Sequence, residues 1–311
     1  MKSFRLLTMT MLTIAIVFTS CSGEDGEQGP QGEQGPQGEQ GEQGLSGEDN
    51  PVQDFYFQKG FKGYDGAKDI SISESEDFDY ASPELAIGFN SNNQSMTIHS
   101  LMRFDGISEE VTGSLLDGSS DCEEGLYINR AVLYLYITNY ETNAFPLQFN
   151  FGFFNSSDPL FSEADASWTA ANQIELWPSE GAGSSEWAGP FPDSDSYSLT
   201  YPVTGTAQAT PGWLAIPLPR QTVVNWICND NTNKGFRIRL QHPGGSGIVT
   251  FASSEFEAAD LRPLLVIEAE KADSGTAKNS VANSKQTEWE SLTKEEKMAP
   301  LYRYLETKAT N

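Results

Sequence analysis

Chemistry on this chain would have to rest on aromatic rings, a pair of arginines and carboxylates. The stretch from Trp177 to Tyr201 carries Trp177, Trp187, Phe191, Tyr197 and Tyr201 among Gly, Ser, Pro and Asp, without strand-like alternation. Pyranose rings stack on Trp and Tyr faces while polar neighbours read hydroxyls, so Trp177, Trp187, Tyr197 and Tyr201 are the candidate glycan-binding residues. Loops carry function more often than scaffold does. The competing reading is a satellite cluster that pins the loop to the domain. Arg237 and Arg239 alternate within Phe236–Leu240 and share one strand face, where two guanidinium forks can clamp a uronic acid carboxylate. A solvated face paired with neighbouring acids is the alternative. Asp193-Ser194-Asp195 offers oxygen ligands for a structural calcium ion, or plain solvation.

Catalytic patterns are missing. Histidine occurs only as His99 and His242, and there is no HExxH, GxSxG elbow, Walker loop or Cys/His metal spacing. Two acids a few ångströms apart suffice for glycoside hydrolysis, and 44 Asp and Glu leave that open without locating a pair. The expectation is therefore a non-catalytic module that binds polysaccharide. The alternative is a structural or adhesive surface protein that binds protein partners. With 19 Lys and Arg against 44 acids the formal net charge is -25. That excludes nucleic acid, whose binding needs clustered cations that release counterions, and favours neutral over highly charged glycans.

Something must hold such a module where glycans are. Lys2 and Arg5 precede an apolar run from Leu6 to Phe18, the layout of a signal peptide and too short for a comfortable bilayer span. Phe18-Thr19-Ser20-Cys21 resembles a lipoprotein-processing box, which makes residues 1–20 the signal and Cys21 the lipidated residue. The competing reading is an ordinary secretory signal with a bystander cysteine. Lipid on Cys21 would anchor the chain to a membrane, each buried CH₂ contributing about 0.8 kcal/mol. Ser22-Gly23-Glu24-Asp25 resembles an acidic signal that follows the lipid cysteine in some Gram-negative surface lipoproteins, so the expected location is the outer membrane or cell surface.

Residues 21–50 form a spacer. Glycine recurs at every third position from Gly23 to Gly47, filled mostly by Glu-Gln and Pro-Gln pairs. This is the collagen register, in which only Gly fits the axis of three polyproline-II chains. Few prolines and uncompensated acids make a marginal triple helix, so a homotrimer and a single extended stalk both stand. At about 3.1 Å per residue either form holds the body tens of ångströms from the membrane.

The body, residues 51–270, reads as strands separated by turn chemistry, with segments at Met96–Phe104, Ala131–Thr138, Leu147–Phe153, Leu214–Leu218, Gly235–Leu240, Ile248–Ala252 and Leu264–Glu268. Val132, Tyr134 and Tyr136 alternate with Leu133, Leu135 and Ile137, so each such strand is expected to bury one face. Asn229-Asp230-Asn231 and His242-Pro243-Gly244-Gly245 supply turns, and Arg220–Ile227 is the one expected helix. Many short strands without alternating helices predict an all-β sandwich or jelly roll. In an oxidising compartment Cys122 and Cys228 can pair, closing a loop of about a hundred residues; two separate thiols are the alternative. Trp168, Trp213 and Trp226 read as packing residues, and Arg262 as a buried arginine paired with a carboxylate.

Residues 271–311 change character. Lys271–Lys285 is small and polar, a linker. Thr287–Glu290 and Thr293–Glu296 each fit a capping box, with a break expected at Pro300. This short helical tail docks on the domain or on a partner.

One ordered series of motifs resembles a known family. Ser100-Leu101-Met102-Arg103-Phe104-Asp105 and Ile128-Asn129-Arg130-Ala131-Val132-Leu133-Tyr134-Leu135-Tyr136 come first. Trp168-Thr169, Ile216-Pro217-Leu218 leading to Trp226, Gly235–Arg239, Phe251–Glu255 and Arg262–Val266 follow. The order and rough spacing are similar to those of the DNRLRE domain family and cover most of Asp69–Glu268. The resemblance implies a jelly-roll β-sandwich of secreted and surface proteins, some relatives of which are classed as carbohydrate-binding modules. The chain departs from the family at His99, where Arg is usual, and at Ile216-Pro217-Leu218, where Asp-Val-Thr is usual; no binding residue is carried over.

Overall fold

Among the described residues, eleven antiparallel strands make one sheet that curls around its own apolar face. The computed structural model describes residues 51–75, 78–79, 82–90, 96–116, 118, 121–142, 147–184, 196–201, 212–241, 247–272, 289 and 291–310. The signal segment, Cys21, the collagen-register stalk, Trp187, Asp193-Ser194-Asp195, His242 and most of the linker lie outside them.

The strands are β1 (Gln53–Phe57), β2 (Ala67–Ser73), β3 (Glu84–Asn90), β4 (Met96–Phe104), β5 (Leu126–Thr142), β6 (Leu147–Phe153), β7 (Ser196–Tyr201), β8 (Gly212–Pro217), β9 (Phe236–Gln241), β10 (Gly247–Ala252) and β11 (Leu264–Lys271). Their order is β1-β11-β5-β10-β3-β4-β9-β6-β7, with β2 on β4 and β8 on β5. The helices are α1 (Ile107–Leu115), α2 (Cys122–Gly125), α3 (Arg220–Cys228) and α4 (Lys294–Thr310). Where β3 meets β10 the backbones touch: a Cβ on Gly88 would lie 2.1 Å from the Gly247 carbonyl oxygen, so only glycine fits there.

The concave face is the main core. Leu133, Leu135 and Ile137 of β5, Phe149, Phe151 and Phe153 of β6, Phe236 and Ile238 of β9 and Phe251 of β10 fill it. Helices α1 and α3 close it with Ile107, Val111, Leu115, Val223, Val224 and Trp226, and Trp226 stacks on Phe236 at 6.3 Å. Cys122 and Cys228 are joined by a disulfide, with Cα atoms 5.5 Å apart, which ties α2 to the end of α3.

Sequence alternation implied one buried face per strand, yet the outer faces of two strand groups are also covered. Over β1, β5 and β11 lies α4, burying Val132, Tyr134, Leu264 and Val266 beneath Trp289, Met298, Leu301 and Tyr304. The tail therefore docks on the domain, and residues Glu48–Asn311 form one compact unit. Helix α4 runs through Pro300 instead of breaking there. Proline removes the N–H that would bond the Glu296 carbonyl; Arg130 Nη1 donates to that oxygen at 3.3 Å, and Tyr134 donates to the Lys297 carbonyl at 2.8 Å. The capping box at Thr293 forms as read, with the Thr293 N–H on Glu296 Oε2 at 2.7 Å and the Glu296 N–H on Thr293 Oγ1 at 3.2 Å. The bonds its carboxylate accepts from the Thr293 N–H and hydroxyl hold the Glu296 carboxyl below its usual range.

A charge chain locks α4 down. Glu268 accepts from both Arg130 and Arg303, and Arg303 also donates to Asp54 at 2.7 Å. Glu268 is 8% exposed while the arginines are partly solvated, so its loss should fall between the values for exposed and fully buried pairs. Glu268→Gln is expected to lower unfolding free energy by about 2 kcal/mol in urea titration; an unchanged midpoint would remove this chain from the account of α4 docking. Arg262, expected opposite a carboxylate, instead donates to the carbonyls of Phe256 at 2.8 Å and Lys59 at 3.3 Å. It closes loop backbone that has no ladder partner.

Candidate functional site

The second covered face is where the predicted ligand residues fall. Ile70 and Ile72 of β2, His99, Leu101 and Arg103 of β4, and Arg237 and Arg239 of β9 point away from the main core, with Leu101 opposite Arg237 in register. The connection that leaves β6 folds over them as an excursion from Phe154 to Ser184, packing Phe154, Phe161, Ala166, Ala171, Trp177 and Ala182 against Ile70, Ile72 and Leu101.

A loop laid on a sheet buries carbonyls that no neighbouring strand can satisfy. Here the sheet satisfies them with side chains. Arg237 Nη1 donates to the carbonyls of Gly181 at 3.0 Å and Ala182 at 3.3 Å, and Arg103 Nη1 to that of Phe161 at 2.9 Å. His99 Nδ1 lies 2.8 Å from the Gly181 oxygen, which can only accept, so the neutral ring carries its proton on Nδ1. Burial, with the Arg237 charge beside it, pushes His99 down to about 3. Burial, reinforced by Arg239, lowers Arg237 to about 9. Gly181 has φ 75°, and a Cβ there would sit 2.9 Å from the Trp168 ring and 3.2 Å from His99 Cε1. Only glycine turns the chain and lets these rings close.

These contacts correct two sequence expectations. Trp177 is 5% exposed, stacks on Phe154 at 5.3 Å and gives its indole N–H to the Ser167 carbonyl, so it pins the excursion and offers no face to a sugar. Arg237 is 6% exposed with its fork turned into the excursion, which leaves no approach for a uronate. Arg239 shares that face as read, half-buried, its Nε on Asn150 Oδ1 at 3.0 Å; the two arginines thus hold different partners instead of one carboxylate. For Tyr197 and Tyr201 the structure describes the backbone, which places them on β7 opposite Phe151 and Leu147. Trp187 and the candidate calcium ligands lie outside the described residues.

Below the excursion sits the one strongly shifted carboxyl among the described residues. Asp69 is 6% exposed and rises to about 7, chiefly through burial and then through the Glu163 charge, although the Ser254 N–H donates to it at 2.7 Å. No group of three or more metal-ligating side chains occurs among the described residues.

An aromatic pair remains at the surface on the outer side of β5 and β8. Tyr136 and Trp213 face each other in register and meet edge-on at 5.4 Å, both partly buried. Two residues further along β5, Thr138 shares a 2.8 Å hydroxyl contact with Thr250 of β10. The two rings, nearly perpendicular to each other, and the two hydroxyls thus share one outer sheet face. Trp213 partly packs against the cluster under α4, as a packing residue would, yet keeps an exposed portion. The sequence signal for this pair was the outward alternation Val132, Tyr134, Tyr136, which does not reveal where α4 stops covering the row.

A scan against protein-family models finds no match, and a search among curated proteins finds no similar chain. No helix among the described residues is long and apolar enough to cross a membrane.

Proposed function

We propose that the protein is a surface-anchored lipoprotein, lipidated at Cys21, whose non-catalytic β-sandwich binds polysaccharide. The observation that carries the binding reading is the partly exposed Tyr136–Trp213 pair beside the Thr138–Thr250 hydroxyls. A ring face with hydroxyls beside it suits a polymer laid along a sheet, because a sugar ring stacks on the aromatic face and the hydroxyls read its edge. The jelly-roll type and kinship with the DNRLRE family belong to the same proposal; they rest on the ordered motifs and agree with a curled antiparallel sheet. The collagen-register segment supplies reach, as a stalk or a homotrimer. The net charge of -25 favours a neutral glycan.

Affinity electrophoresis of the full chain against a panel of neutral and acidic polysaccharides tests it. Retardation by a neutral polymer is expected, weakened up to about tenfold in Kd by Tyr136→Ala, which removes a ring worth about 0.5–1.5 kcal/mol of stacking by analogy with other aromatic contacts. No retardation by any polymer, or retardation indifferent to Tyr136, would overturn the reading.

A further inference from the structure

We propose that the knuckle formed by Leu160 and residues 172–176 of the excursion is a docking surface for a protein partner that presents an apolar pocket rimmed by Lys and Arg. This goes beyond the glycan reading and uses none of its residues. Ile174 is 92% exposed, Leu176 72% and Leu160 41%, three of the five exposed large hydrophobic residues among the described ones. Single exposed apolar residues are ordinary; a concentration of them within one loop marks an interaction site.

The loop that presents them is built. Asn172 Oδ1 accepts the N–H groups of Ile174 and Glu175, each at 2.9 Å, and its Nδ2 donates to the Leu160 carbonyl at 3.0 Å and to Glu175 Oε2 at 2.9 Å. The Ala171 N–H closes the turn on the Glu175 carbonyl at 2.9 Å, and Gln173 is tied to Asp165 at 2.7 Å. One asparagine therefore fixes both the tip carrying Ile174 and the neighbouring strand of chain carrying Leu160. Underneath, Ala171 and Trp177 are anchored in the cluster against the sheet. A loop whose backbone is held in place before contact loses less freedom on binding, which is how a few anchors give affinity.

Charge selects the partner. Glu175 stands between Ile174 and Leu176 and Asp165 is tied to the loop through Gln173, while the excursion from Phe154 to Ser184 carries neither Lys nor Arg to offset these acids. A second copy, itself at net charge -25, is repelled by that rim. A bilayer would have to accept Glu175 between Ile174 and Leu176. A basic-rimmed protein pocket meets both the apolar tip and the acids around it.

The test titrates the full chain with two designed helical peptides that share one leucine face, one flanked by lysines and the other by glutamates. The lysine peptide is expected to bind, more weakly at high salt, and Ile174→Ser and Leu176→Ser are each expected to weaken it about tenfold, the scale of one buried aliphatic side chain. Both variants should keep the unfolding midpoint and the polysaccharide retention of the parent, so failure here and failure of the glycan reading are separable. Equal binding of the two peptides, or binding unchanged in both variants, overturns the proposal. So does Ile174-dependent adsorption to phosphatidylcholine vesicles or Ile174-dependent self-association in sedimentation.

Discussion

Replacing Cys122 and Cys228 together by Ser is expected to lower unfolding free energy by roughly 4 to 5 kcal/mol, the largest single effect in this protein. The bond closes a loop spanning 106 positions and so restricts the unfolded chain strongly. Both sulfurs also pack against the main core beside α1 and α3, so losing the bond loosens the helices that close the concave face. Urea titration of the double variant should show a lower midpoint, and so should the parent protein under reductant. Equal midpoints with and without reductant would mean that the loop is held together by its packing alone and that the cross-link adds nothing.

The second large effect is a pair of opposed pH dependences. His99 falls from 6.5 to about 3 on folding, so the native state binds fewer protons than the unfolded chain in that window. Its contribution is complete above 6.5 and lost as pH drops toward 3. Asp69 rises from 3.8 to about 7, so the native state holds a proton that the unfolded chain releases. Its contribution is complete below 3.8 and lost as pH climbs toward 7. Between about pH 4 and pH 6.5 the two slopes, each roughly 1.4 kcal/mol per unit at most, run in opposite directions and cancel.

Single variants uncover them. His99→Asn keeps a donor near the Gly181 carbonyl but not the titration, and its stability is expected to fall as pH rises across that window. Asp69→Asn keeps an acceptor for the Ser254 N–H, and its stability is expected to rise with pH over the same range. Urea titrations at several pH values read both slopes, whatever each substitution does to absolute stability. Variants whose curves merely parallel the parent would show that neither group titrates differently on folding. Both groups lie in or beside the seam between the sheet and the excursion, so the same measurement reports how tightly that cover is held.

Much of this architecture was legible in residue types. Strands β4 and β6 fall where their apolar alternation placed them, and β8 to β11 agree to within a few residues at each end. Helix α3 ends one residue beyond the predicted span. Strand β5 is far longer than Ala131–Thr138, because it continues through polar residues such as Asn129 and Arg130 that the apolar alternation does not include, with Arg130 an outward residue paired to Glu268. Strand β2 was missed for a related reason. Asp69, Ser71 and Ser73 look like loop composition, yet they are buried, with Ser71 bonded to the Ala86 N–H and Asp69 to Ser254. Helix α1 carried a readable spacing at Ile107, Val111 and Leu115, but its residues Thr112 to Ser114 resemble a turn.

The candidate site was less legible. Trp177, Arg237 and Tyr136 have the right chemistry for a sugar, and composition ranks them alike. Which is available depends on covers brought from elsewhere in the chain: the excursion after β6 buries Trp177 and Arg237, whereas α4 covers Tyr134 and leaves Tyr136 partly exposed. The knuckle escaped notice because Ile174 and Leu176 read as ordinary apolar residues, and only the turn around Asn172 turns them outward.

The sequence by itself determined the period-two strands, the turns between them, the pairable cysteines, the capping box at Thr293 and the acidic balance, because each is set by residues within a few positions or by composition. The tertiary structure alone decided which outer faces are roofed, that Pro300 sits within a continuous helix, and which arginines are spent on carbonyls. Those outcomes depend on segments far apart in the chain meeting across the sheet, where buried carbonyls, charges and rings must find partners that no local pattern names.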